Sequence, residues 1–197
     1  MVGRGIEMRV LIAGILAGII FFIWGAVAHM ALPLGEMGTR APQDEDAVLA
    51  AMTTALGSEG GIYFLPYIDS AGMKDAAKTA AFAAKSAANP YAYVVWQPQP
   101  TGKSPMDMGP QLTKQAITDL LLGVLLAWVL SLVAGGLGQR TGVAAVTGIL
   151  VSLASHVPYW NWYRYPSDWL TGQAVEVVVG FTLAGAVAAW WLGRSRA

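Results

Sequence analysis

The sequence predicts an integral membrane α-helical protein: a four-helix transmembrane bundle with a small extracytoplasmic α/β cap between its first and second helices. Three observations carry this expectation. The 197 residues are 55% hydrophobic and only 12% charged, and mean hydropathy is +0.51, whereas a soluble domain carries about 25% charged residues. Four apolar stretches, at 10–32, 115–137, 143–160 and 170–192, approach or exceed the roughly 20 residues that cross a hydrocarbon core as helix. The charges between those stretches are segregated by side. Three parts follow: an N-terminal tip and first span at 1–32, the cap and its linker at 33–114, and the remaining spans at 115–197.

The first span follows Arg4 and Arg9, and Ala26-Val27-Ala28 resembles a signal-peptidase site. Its apolar region is about 19 residues, longer than the 7–15 typical of a cleaved signal, so it reads as an uncleaved anchor. Arg4, Arg9, Arg140, Arg194 and Arg196 flank one set of span ends, opposed only by Glu7. By the positive-inside rule that side is cytoplasmic and holds both termini, as expected for a multi-pass protein of a bacterial inner membrane.

The segment 33–114 carries six basic and eight acidic residues and is too long for a structureless loop. Pro42, the acids Asp44, Glu45 and Asp46, and Gly57 mark the start and stop of a helix over 43–56. Residues 61–68 (GIYFLPYI) read as a strand limited to an edge by Pro66. An Ala-rich helix over 74–88 and a strand over 91–97 follow, then a Pro/Gly linker at 97–110. The resulting core is small for a free-standing domain, so the cap is expected to lean on the outer ends of the spans.

Only four ionisable side chains fall inside the spans: His29, Asp119, His156 and Glu176. Such groups are costly in hydrocarbon and face a bundle interior or a wet cavity. All four lie within roughly 5–9 Å of the outer boundary at 1.5 Å per residue. Each also continues a stripe of small residues: Gly14, Gly18, Gly25 and His29; Asp119, Gly123, Ala127, Ser131 and Gly135; Gly148, Ser152 and His156; Gly172, Glu176, Gly180, Ala184 and Ala188. Small residues at this spacing mark the faces along which transmembrane helices approach closely. The four are therefore expected to converge.

Two imidazoles and two carboxylates admit several uses. The plainest is a polar knot that fixes helix register. Imidazole with carboxylate also suits a divalent metal, with His29, Asp119, His156 and Glu176 as ligands. A b-type haem held by His29 and His156, or a quinone or lipid-headgroup pocket, completes the alternatives. A di-iron bundle needs Glu-x-x-His, and Val179 and Leu122 stand where the histidines would be. The inner halves of the spans hold only scattered hydroxyls, chiefly Ser131, Thr147 and Thr182, as candidate relay groups, which disfavours transport through a single chain.

Tyr159, Trp160, Trp162, Tyr163, Arg164, Tyr165 and Trp169 form a dense aromatic run, read as an interfacial belt or as a lid and partner surface over the polar cluster. A formal charge of zero disfavours a nucleic-acid partner, and the absence of cysteine excludes thiolate chemistry. No P-loop, zincin or nucleophile-elbow motif is present. The expected role is non-catalytic, a structural or accessory subunit of a membrane complex. The expected partners are lipid and other membrane subunits, or further copies joined through small-residue faces. The alternative is a redox or binding protein using a divalent metal or haem b.

Overall fold

The computed structural model describes residues 2–98 and 107–194, with side chains in the first helix from Glu7 onward. The side chains of Arg4 and Arg196, and most of the 97–110 linker, lie outside the described residues. In chain order the elements are α1 (Val2–Met30), a 3₁₀ turn (Pro33–Glu36), α2 (Glu45–Leu56), β1 (Gly61–Leu65), a second 3₁₀ turn (Gly72–Lys74), α3 (Ala76–Ala88), β2 (Ala92–Trp96), α4 (Gly109–Ser131), α5 (Leu137–Tyr163) and α6 (Ser167–Gly193). They form two compact units: Met1–Thr39 with Asp107–Ala197, and Arg40–Met106.

The first unit contains four helices long and apolar enough to cross a membrane: α1, α4, α5 and α6. The chain is by this measure a helical, multi-pass membrane protein. Helix α1 packs on α4 and α6, α5 packs chiefly on α6, and α4 also touches α6. Helices α4 and α5 are consecutive yet barely meet, so α1 and α6 are the inner pair.

Lipid supplies no hydrophobic drive for helices to associate, so packing depends on close backbone approach. A Cβ on Gly123 would overlap Gly14 O and Gly18 N, and one on Gly18 would lie 2.7 Å from Leu120 Cα. The two helices therefore interlock through three glycines. On the other side of the unit, a Cβ on Gly148 would lie 2.9 Å from Phe181 Cβ, and one on Gly185 would overlap Ala144 Cβ. The core between these contacts is mostly alanine and leucine, with Phe21 edge-on to Phe181 at 5.0 Å.

Arginines close one end of this unit. Arg9 Nη2 donates to Leu192 O at 2.8 Å, and Arg140 Nε and Nη2 donate to Val133 O at 3.3 and 3.2 Å. Cationic donors at helix C-termini satisfy orphan carbonyls and favour the negative end of the dipole. Arg140 is buried and bonded to protein, where the sequence offered it only as a loop charge.

Helix boundaries depart from the apolar stretches in two places. Helix α4 begins at Gly109, with Pro110 in its first turn where a missing N–H costs nothing, and it stops at Ser131 ahead of Gly135 and Gly136. Helix α5 runs through Pro158 to Tyr163 and ends on Arg164 in the left-handed region (φ 56°). The aromatic run is thus largely the last turns of α5, and only 164–166 connect it to α6.

The second unit has the predicted helix–strand–helix–strand order. Asp44 caps α2 by accepting from Ala47 N at 2.9 Å, and Asp75 caps α3 by accepting from Ala77 N and Lys78 N at 2.9 and 3.1 Å. Strands β1 and β2 pair antiparallel, with Gly61 opposite Trp96 and Leu65 opposite Ala92. Pro66, which has no N–H to give a ladder, follows the last paired residue. Phe64 meets Tyr93 edge-on at 5.2 Å, and Trp96 Nε1 donates to Gly57 O at 3.1 Å.

Gly123→Val should cost at least 1–3 kcal/mol by overpacking, roughly the penalty for forcing volume into a filled core. Gly142→Ala, where an added Cβ meets nothing within 4 Å, should change stability little. Thermal unfolding of both variants in detergent checks this, and equal shifts would contradict the interlock.

Candidate functional site

The polar residues inside the spans are placed by the same glycine faces. His29 lies in the last turn of α1, after which the chain reverses into the Pro33–Glu36 turn. Gly35 in that turn rests against the imidazole so closely that any side chain there would overlap His29 Nδ1. A Cβ on Gly172 would approach Leu34 O at 2.9 Å, and one on Gly38 would approach Trp169 Cβ at 2.5 Å. Gly38 has φ +83°, a conformation that glycine adopts without strain. Residues 34–38 thus lie along the first half of α6, with Gly35 against one side of the His29 ring.

Beneath this turn, His29 Nε2 and Glu176 Oε1 share a hydrogen bond of 3.1 Å joining α1 to α6. His29 is 52% exposed and Glu176 19%. A second tie between the same helices is made by Trp24 Nε1, which donates to the Glu176 carbonyl at 2.8 Å. Glu176 is therefore held by side chain and backbone together.

Asp119 is 6% exposed, and its Oδ1 accepts from Gln115 Nε2 at 2.9 Å, one turn earlier on α4. Its carbonyl oxygen lies under Gly18 of α1. His156, on α5, meets the Trp169 ring edge-on at 5.7 Å. Among the described residues neither Asp119 nor His156 is hydrogen-bonded to Glu176. Two buried atoms here have no hydrogen-bond partner among the described residues, His156 Nδ1 and Glu176 Oε2.

Convergence is therefore partial. One direct pair forms, His29 with Glu176, and two further groups stand near it. The four-residue metal set is not assembled: among the described residues, no three His, Asp or Glu side chains are placed to hold one ion. Only His29 and Glu176 of the four bond each other, and Asp119 is bonded to Gln115 on its own helix. Helices α1 and α5, which carry His29 and His156, are each packed on α6.

The aromatic run also divides. Tyr159, Tyr165 and Trp169 cluster beside His156, with Tyr165 and Trp169 centroids 4.5 Å apart and Tyr159 and Trp169 6.3 Å apart. Tyr163 stacks at a tilt on Tyr159 at 5.4 Å. Trp162 is 76% exposed, and the exposed Trp160 donates Nε1 to Ser167 Oγ at 3.1 Å. Three of the run's aromatics adjoin the polar groups, and the two tryptophans of α5 face outward.

Sequence reasoning missed Gln115, Gly35 and Trp24. Gln115 was detectable, because Gln and Asp four apart on a helix form a known pair. Gly35 and Trp24 carried no local signal. The chain shows no significant match among protein families, curated proteins or solved structures.

Removing the His29–Glu176 pair should show coupling. His29→Ala and Glu176→Gln should each destabilise the protein by about 1 kcal/mol, a usual size for interhelical hydrogen bonds in membranes. The double variant should cost less than the sum, and strict additivity in a double-mutant cycle would deny that the pair is energetically real.

Proposed function

We propose that this chain is a non-catalytic, structural or accessory subunit of a larger membrane complex. In this reading it sits in a bacterial inner membrane. The arginine-closed end of the helical unit is cytoplasmic by the positive-inside rule, with both termini there. Arg40–Met106 then emerges on the outer face as a small α/β cap.

One observation carries the proposal. Among its described residues, the unit Arg40–Met106 buries only Gly72. Its helices are capped and its strands are in register, so local structure is specified in full. Burial is what is missing, and units of this size depend on it for stability. Large apolar side chains are open instead, above all the cross-strand pair Ile62 and Val95, 57% and 71% exposed. A unit with folded elements and an uncovered apolar face gains its burial from contact with another surface, as an accessory subunit does.

The glycine interlock fits the same role. It makes the helical unit a rigid support, and the His29–Glu176 pair fixes register between its two inner helices.

Extraction of the native protein in mild detergent, followed by size measurement and mass spectrometry of what accompanies it, tests the reading. The chain should run in a complex with at least one other membrane polypeptide. An Ile62→Lys/Val95→Lys variant should weaken that association while the helical unit stays folded. A chain that runs alone under every mild condition would refute the proposal.

A further inference from the structure

Independently of the accessory role, we propose that β2 is an interface strand whose open edge pairs antiparallel with the same edge of a second copy of this chain. Two two-stranded sheets then become one of four strands. The first ground is that the sheet is unfinished. It has two strands, and among the described elements β1 alone lies along β2. A two-stranded sheet is marginal in water; independent stability takes three or more strands with an apolar face, or a helix packed against them. Neither α2 nor α3 packs on this sheet.

The residues of the two strands distinguish their edges. Ala92, Tyr93, Val94, Val95 and Trp96 include no charge, glycine or proline, and aromatic and β-branched residues suit a pleated surface. Edge strands are ordinarily guarded against pairing by charges, proline or bulges. Strand β2 has none of these, and its register with β1 is unbroken. Strand β1 is the guarded one: it opens on Gly61, and Pro66, which follows its last residue, has no N–H to give. One open edge beside one guarded edge gives a closed pair of copies rather than a fibre.

Charge favours a second copy as the occupant. Residues 40–106 hold five basic and six acidic side chains, so two copies do not repel as like-charged bodies. The signs are segregated by element. Asp44, Glu45 and Asp46 stand at the start of α2, while Lys74 precedes α3 and Lys78 and Lys85, seven apart, share one of its faces. All six are exposed, and no ion pair among the described residues joins the two sets. Each copy thus carries both halves of a complementary surface.

A twofold axis normal to the sheet completes the geometry. Pairing centred on Val94 sets that residue opposite its own counterpart and gives every residue of β2 a partner, which no shifted register does. The same axis keeps each side chain on its own face. Ile62 and Val95, opposite each other and 57% and 71% exposed, therefore join their counterparts on one side of the enlarged sheet.

Because the chain has no cysteine, a single introduced one reports the contact. Opposed residues of an antiparallel pair hold their Cα atoms about 4.5–5.5 Å apart, within the reach of a disulfide. Full-length Val94→Cys, oxidised mildly in membranes and in detergent, should convert mostly to a disulfide-linked dimer. Ile62→Cys should stay unlinked, since three strand spacings, about 14 Å, separate it from its counterpart. Val94→Lys and Val94→Glu should each lose the dimer, because like charges then lie directly opposite, and mixing the two variants should restore it. If the charged variants fail to fold, the two cysteine variants decide the matter. Linkage at Ile62 equal to that at Val94, as stacking of sheet faces would give, would overturn the proposal. So would a dimer indifferent to both charges, a native chain found only as single copies, or Val94→Cys captured only by a different polypeptide. A dimer free of other polypeptides upholds this pairing and refutes the accessory role; a complex holding one copy of the chain does the reverse.

Discussion

Close approach of helix backbones is the constraint on which this protein depends. Four helices in lipid gain little from burying leucine, because the tails around them are just as apolar. Attraction must come from packing density, and density requires small side chains at the crossings. Gly14, Gly18 and Gly123 bring α1 and α4 together until main-chain atoms touch, and Gly148, Gly185 and Ala144 do the same for α5 and α6. Larger residues fill the space around these points without defining it.

Polar groups ride on those faces. Asp119 precedes Gly123 by one turn and Glu176 precedes Gly180 by one turn, so a helix that presents its glycines inward presents its carboxylate inward too. The cost of burying the carboxylates is met unevenly. Asp119 takes a partner from its own helix and Glu176 one from α1, while Glu176 Oε2 and His156 Nδ1 are left over.

The second unit presents the opposite balance. Its hydrogen bonds are well made, from the Asp44 and Asp75 caps to the five-pair strand register, while its side chains bury almost nothing. Hydrogen bonds exchanged with water contribute modestly to stability, whereas burial supplies the main driving force. A unit strong in the first and poor in the second is specified in form and dependent in stability. The helical unit carries rigidity, and Arg40–Met106 carries open surface.

Much of this was legible from the chain alone, for a local reason. Spans follow from runs of apolar residues, the helix over 43–56 from Pro42, its acids and Gly57, the edge position of the first strand from Pro66, and small-residue faces from residues repeated every four positions. Each is a property of neighbours in sequence. What tertiary structure decided is which faces meet. Periodicity puts His29 on the small-residue face of α1 but does not show whether it meets Asp119, His156 or Glu176, because the order of helices around the unit is set by packing. That order puts α6 beside both α1 and α5, making Glu176 the partner of His29 and the neighbour of His156. It also brings Gly35 back over the imidazole, a contact between segments with no shared pattern. Composition and periodicity determined a membrane protein with four ionisable groups on small-residue helix faces; only packing around α6 decided which of them bond, and it left His29 half exposed.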